Sequence, residues 1–203
     1  MKNIEKYCKW QAHWKNSLTS TNGGFLMNLA GSKTEANIKA AFAGESQARN
    51  KYTYFAAVAR KEGYQQIAEI FEETAYNEKE HAKLLLRLLG GIGDTRENLK
   101  MAAEGEHHEW TSMYMEFEKA AREEGFTQIA DLFKGLAAIE KEHDERYQKL
   151  LENMEKGEIF KKSRPQEWKC RNCGYIHEGE EAPDVCPVCA HPKGFFEVRS
   201  QNY

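Results

Sequence analysis

Two stretches decide how this 203-residue chain folds: Tyr76-Asn77-Glu78-Lys79-Glu80-His81 and Ala138-Ile139-Glu140-Lys141-Glu142-His143. Each carries Glu-x-x-His, and residues three apart share one face of a helix. The neighbours identify that face. Ile67, Phe71, Thr74, Glu78, His81, Leu85 and Leu88 recur at alternating steps of three and four, as do Ile129, Phe133, Leu136, Glu140, His143, Tyr147 and Leu150. This is the apolar stripe of a packed helix. The motifs are therefore expected on the core side, where ionisable groups are rarely left unpaired. A metal pair is the expected counter-charge.

Working outward, Ser32-Lys33-Thr34-Glu35 reads as a capping box that opens a first helix reaching about Glu62, with Gly63 as its stop. Its stripe of Ile38, Phe42, Ala48, Tyr52, Phe55 and Ala59 is interrupted by Glu45. A second helix, about Gln65 to Leu89, carries the first Glu-x-x-His, and Gly90-Gly91-Ile92-Gly93 breaks the chain. A third helix, capped by Asp94 or Thr95 and reaching about Glu124, is expected to run uninterrupted, with Leu99, Ala102, Glu106, Glu109, Met113, Phe117 and Ala120 as its seam. A fourth, from about Thr127 to Lys156, carries the second motif. Residues 59–81 align with 121–143 at a constant offset, and roughly half of the aligned positions are identical, among them Gly63/Gly125, Phe71/Phe133, Glu78/Glu140 and His81/His143. Two duplicated helix pairs predict a four-helix bundle whose matching ligand sets meet at a pseudo-two-fold axis.

That set is Glu45, Glu78, His81, Glu106, Glu109, Glu140 and His143. A Glu from each of two helices plus Glu-x-x-His from the other two is the donor pattern of ferritin-like di-iron and di-manganese carboxylate bundles. Carboxylates and imidazole suit those metals. Without metal, five core carboxylates would carry a large desolvation cost. His107 and His108 leave the seam and are expected to be solvated or to support ligands rather than bind metal.

The remaining segments differ in composition. Residues 1–31 form an extension without sustained periodicity, holding Cys8, Trp10, His13 and Trp14, and are expected to be disordered or a non-native start; Gly23-Gly24 just before Met27 points to Met27 as the natural first residue. The bundle is expected over 32–156, a charged linker over 157–165, and a small turn-rich domain over 166–203. So small a domain needs a staple. Cys170-x-x-Cys173 and Cys186-x-x-Cys189 supply a tetrahedral sulfur site for zinc or a single iron. Paired cysteines of this kind fit metal binding in a reducing cytoplasm better than disulfides. A net charge of −3 gives no reason to expect nucleic acid as a partner, and no apolar run is long enough to span a bilayer.

From about Met27 onward the chain resembles the rubrerythrins. The resemblance rests on Ala43-Gly44-Glu45-Ser46-Gln47-Ala48-Arg49, both Glu-x-x-His motifs, Gly105-Glu106-His107-His108-Glu109, Cys170-Arg171-Asn172-Cys173-Gly174-Tyr175 and Cys186-Pro187-x-Cys189. It implies an all-α ferritin-like bundle holding two iron ions bridged by carboxylates, fused to a rubredoxin-like β domain stapled by one iron. The implied activity is reduction of hydrogen peroxide to water as a defence against oxidative stress. Electrons would come from a donor such as a rubredoxin or an NAD(P)H-dependent reductase, and a head-to-tail homodimer is implied. In the ligand set it implies, Glu78 and Glu140 bridge, Glu45 binds one iron, Glu106 and His143 bind the other, and Glu109 exchanges with His81 as the first iron changes oxidation state. Tyr52 and Tyr114 match tyrosines near the site. Ferroxidase or iron-storage activity is the alternative that a bundle alone allows, but storage needs no one-electron relay. A zinc ribbon is the alternative for the tail. Two departures stand out: the loop after Leu89 is shorter than in some members, and residues 1–26 have no counterpart.

Overall fold

The computed structural model describes residues 29–202. Cys8, the extension and the expected start at Met27 lie outside, or almost wholly outside, the described residues. The chain divides between Gly91 and Ile92 into two compact units.

The first unit is a helical hairpin, α1 (Lys33–Lys61) and α2 (Gln65–Leu88). Ser32 caps α1 by accepting the Glu35 N–H at 3.0 Å, while the Glu35 carboxylate returns a bond to the Gly31 N–H rather than to Ser32. The turn closes with Gly63 at φ +89° and the Tyr64 N–H donating to the Ala59 carbonyl. The fully buried positions of the pair are alanines: Ala56, Ala59, Ala68, Ala75 and Ala82. Small side chains let the two backbones approach closely, and the large apolar residues are left on the adjoining face.

The second unit begins with a continuous rod built of α3 (Thr95–His108), a π-helical turn (Glu109–Met113) and α4 (Tyr114–Glu123), paired with α5 (Thr127–Glu155). Asp94 is the cap, in a full capping box with Glu97 whose two bonds are each 2.9 Å. The uninterrupted third helix expected from the pattern is corrected by the π turn. The physical reason is one surplus residue: Glu45 corresponds to Glu106 at an offset of 61, but Tyr52 corresponds to Tyr114 at 62. The wider turn absorbs the extra residue without breaking the rod. Past the turn the buried position is Ala121, one step beyond the Ala120 of the expected seam; before it, Ala103 rather than Ala102 is buried.

The duplication is visible in the packing. Tyr52, Phe55 and Phe71 form a ring cluster with centroid separations of 6.2, 6.1 and 5.6 Å; Tyr114, Phe117 and Phe133 repeat it at the same three distances. The seams are not buried within either hairpin: Phe55, Ile67, Phe117, Ile129 and Leu150 are exposed, and His81 is about half-exposed at 53% of its side chain. Two helices alone make one layer and have nothing to lay over the stripe.

Beyond Gly157, the second unit carries a three-stranded antiparallel sheet of order β2-β1-β3: β1 (Lys161–Cys170), β2 (Ile176–Glu181) and β3 (Phe196–Val198). Pro165 sits where the β1–β2 register slips, between Lys161 and Gln166, as expected for a residue that cannot donate to a ladder. The core is only Trp168, Cys170, Ala182, Cys186 and Phe196, with Phe160, Tyr175 and Cys189 against it. The Trp168 indole N–H donates to the Gly179 carbonyl at 2.9 Å. Among the described residues, no helix is long and apolar enough to cross a membrane.

Candidate metal centres

In the first hairpin, α1 and α2 bring donor atoms of Glu45, Glu78 and His81 within 4.8 Å of one another. His81 Nδ1 lies 2.8 Å from Glu78 and 3.8 Å from Glu45. In the second unit, Glu106, Glu140 and His143 form the matching set, with His143 Nδ1 2.7 Å from Glu140 and 3.8 Å from Glu106. The near-identity of the two geometries makes Glu106 the counterpart of Glu45. Constant-offset alignment alone would have chosen His107.

The electrostatics of both sets ask for a cation. A hydrogen bond shared with Glu78 pushes the Glu45 carboxyl up, helped by desolvation, while the same shared bond holds Glu78 down. Two carboxylates that must share a proton in the absence of a cation are a site prepared for one. Burial pushes Glu106 up, and the neighbouring Glu140 adds to it. Burial also raises the Tyr114 phenol, with Glu109, Glu140 and Glu106 acting in the same direction. Glu109, which opens the π turn, is not one of the three clustered donors, although its charge is felt at Glu106 and Tyr114. It has no acidic counterpart in the first hairpin, where Gln47 and Ala48 stand at the two possible offsets.

A supporting group escaped the sequence reading. Asp144, next to His143, is the one fully buried charged side chain among the described residues. Its carboxylate lies 2.9 Å from His107 Nδ1 and accepts from the Trp110 indole at 2.9 Å and the Gln148 amide at 2.6 Å. Burial alone would raise this carboxyl, but the Trp110, His107 and Gln148 bonds outweigh it and hold it below its ordinary value. Asp144 thereby ties α5 to both sides of the junction where α3 becomes π-helical. The available signal was an acidic residue one step past a ligand on the inward edge of the helix.

The four cysteines converge in the β domain. Cys170 Sγ lies 3.7 Å from Cys189 Sγ, Cys173 Sγ lies 3.6 Å from Cys186 Sγ, and all four fall within 4.8 Å. A tetrahedron with metal–sulfur bonds of about 2.3 Å places its sulfurs about 3.8 Å apart, so the cage matches a single ion and excludes a disulfide. The two knuckles are built alike: Cys170 N–H donates to Tyr175 O and Gly174 N–H to Cys170 O, while Cys186 N–H donates to His191 O and Ala190 N–H to Cys186 O. A backbone N–H at His191 draws the Cys189 thiol down to about 6. Cys173 has the matching bond at Tyr175, yet desolvation and the other sulfurs push it up to about 12. Four thiolates cannot coexist there without a cation. The donor chemistry throughout fits two irons in the helical domain and one at the cysteines.

Fold and site together define a non-haem di-iron protein joined to a four-cysteine iron domain. Comparison with known proteins agrees: the rubrerythrin family profile matches residues 36–151, with a further match over 97–169, and the rubrerythrin rubredoxin-like domain matches 168–197. Rubrerythrin-1 of Clostridium acetobutylicum is 47% identical over 195 residues, covering 88% of this chain and 100% of its own. The rubrerythrins of Porphyromonas gingivalis, 49% identical over 87% of this chain and 94% of their own, and of Nitratidesulfovibrio vulgaris, 47% over 88% and 100%, are similar to the same extent. The chain belongs to the rubrerythrin family of di-iron oxidoreductases.

Proposed function

We propose that the chain is a peroxidase: it reduces hydrogen peroxide to two waters, consuming two electrons and two protons per turnover. The observation that carries the reading is the pairing of two carboxylate–histidine half-sites with a separate sulfur cage in one chain. The cage handles one electron at a time, and two successive transfers satisfy the reaction. Iron at the half-sites, when bound, supplies the reducing equivalents that cleave the O–O bond. Glu78 and Glu140 would hold the two ions as shared ligands, Glu45 would bind one of them, and Glu106 and His143 would bind the other. Glu109 and His81 would serve as alternative ligands of the first ion, a carboxylate suiting an oxidised iron and an imidazole a reduced one. The Tyr114 phenol, raised above its ordinary value by burial and the surrounding carboxylates, is available as a hydrogen-bond donor beside the site.

The working unit is a head-to-tail dimer. His143 lies 155 − 143 = 12 residues before the end of α5, about 18 Å along the axis, so the cysteine site of a second copy is better placed than the chain's own. The electron donor is a small redox protein or an NAD(P)H-linked reductase, and the reaction belongs to the cytoplasm. Glu140→Ala should lose helical-domain iron and peroxidase turnover, while Glu142→Ala, off the ligand face, should keep both. Full turnover in Glu140→Ala would refute the assignment.

A further inference from the structure

The connection between the hairpins is unusually well tied down. Between Leu88 and Thr95 stand 95 − 88 − 1 = 6 residues. Leu89, Gly90 and Gly91 donate backbone N–H bonds to carbonyls of the last turns of α2: Leu85, Arg87 and Leu86 respectively. Gly93 N–H donates to the Asn98 side chain and Asp94 N–H to Glu97, both at the start of α3. Only Ile92 is left without such a tie, and the boundary between the two compact units falls beside it.

A ferritin-like bundle needs one long crossover connection, because its hairpins run in opposite senses and the chain must travel back along the bundle between them. The length required here follows from the ligands. Glu78 lies 88 − 78 = 10 residues before the end of α2, and Glu106 lies 106 − 95 = 11 residues after the start of α3. At about 1.5 Å per residue, bringing both ligands to one level in that topology sets the two helix ends about 30 Å apart. Seven fully extended steps from Leu88 to Thr95 reach about 25 Å at most, and the hydrogen-bonded ends shorten that further. Meanwhile each hairpin exposes the same apolar stripe, with Phe55 and Ile67 on one and Phe117 and Ile129 on the other. Each also carries half of the donor set.

We infer that the two halves of each di-iron centre come from two chains: the α1–α2 hairpin of one copy closes on the α3–α5 hairpin of another, which contributes Glu106, Glu140 and His143, and the reciprocal pair forms the second centre. The inference rests on the two-iron reading of the ligand set. The linker is then a spacer joining two bundles rather than a crossover within one, and the occupant of the apolar stripe is a second copy bearing its duplicate.

Complementation tests this through metal content. One chain carries Glu45→Ala and Glu78→Ala; the other carries Glu106→Ala and Glu140→Ala. Each is tagged differently, and the heterodimer is isolated after co-expression. Neither homodimer should hold helical-domain iron, while circular dichroism confirms that each is folded. With hairpins exchanged, the heterodimer has one centre with four ligands deleted and one centre fully intact, so iron beyond that of the cysteine sites returns to half the wild-type level. A heterodimer with no such iron, beside a wild type that holds it, overturns the inference in favour of closure within one chain. So does a wild-type monomer, at high dilution in sedimentation, that keeps both helical-domain irons. A wild type that never binds them refutes the two-iron reading instead.

Discussion

At Ala190 the backbone adopts φ +57°, the left-handed region, and it is the one non-glycine among the described residues to do so. The reason is the knuckle. Ala190 follows Cys189 as Gly174 follows Cys173, and Gly174 has φ +81°. The tight turn that aims two backbone N–H groups at the sulfurs imposes this conformation whatever the side chain. A left-handed alanine costs about 1–2 kcal/mol that glycine does not, partly offset by glycine's greater freedom when unfolded. Ala190→Gly should therefore stabilise the cysteine domain by about 1 kcal/mol, seen as slower iron loss in denaturant. Asp144 makes the opposite case. Asp144→Ala strands the Trp110 and His107 donors and should cost about 1–3 kcal/mol. Because its carboxyl titrates lower in the folded protein than its ordinary 3.8, its contribution is complete above that value and is lost as pH falls through the folded value. The stability gap between wild type and Asp144→Asn in urea should be constant near neutrality and shrink in acid; a gap that grew on acidification would contradict the assignment.

The π turn is the feature that breaks the symmetry between hairpins. On its N-terminal side the chain keeps step with the first hairpin at an offset of 61, and on its C-terminal side at 62. Deleting Thr111 removes the surplus, so Glu106 and the Tyr114 cluster can both stay in place on a regular helix. Circular dichroism should show the helical content retained and iron titration the three-donor sets still loading. Glu109, which opens the π turn, would be re-aimed, and peroxide turnover should fall about tenfold or more. Unchanged turnover would remove Glu109 from the mechanism. The offset change was present in the sequence, but an alignment restricted to residues 59–81 lies wholly on one side of the insertion and does not reveal it.

Taken whole, the chain joins parts with different sources of stability. The cysteine domain buries five residues, too few to hold a fold unaided, so its metal is also its core. Chelating that iron should raise hydrogen exchange throughout residues 161–198 while the helical hairpins keep their protection. The hairpins depend instead on covering their apolar stripes, so dilution or metal-site mutation should loosen α1–α2 and α3–α5 together. The exposed ion pairs between Arg60 and Glu72 and between Arg122, Glu118 and Asp131 clasp the hairpin turns and contribute little beyond that.

Helix periodicity, the duplicated Glu-x-x-His and the paired cysteines made the helical class, the donor types and the sulfur cage readable from the chain alone, because each depends on spacing along one element. The turn at Gly63 was legible for the same local reason, and the cap of the third helix was narrowed to Asp94 or Thr95, of which the structure selects Asp94. Tertiary structure decided the rest. That Glu106, and not Glu109, clusters with Glu140 and His143 is visible only in the structure. The Asp144 network depends on two elements meeting 34 to 37 residues apart. Alanines, not the large apolar stripe, fill the interface within each hairpin. That left the stripe open, and periodicity could show that such a face must be covered but not by what.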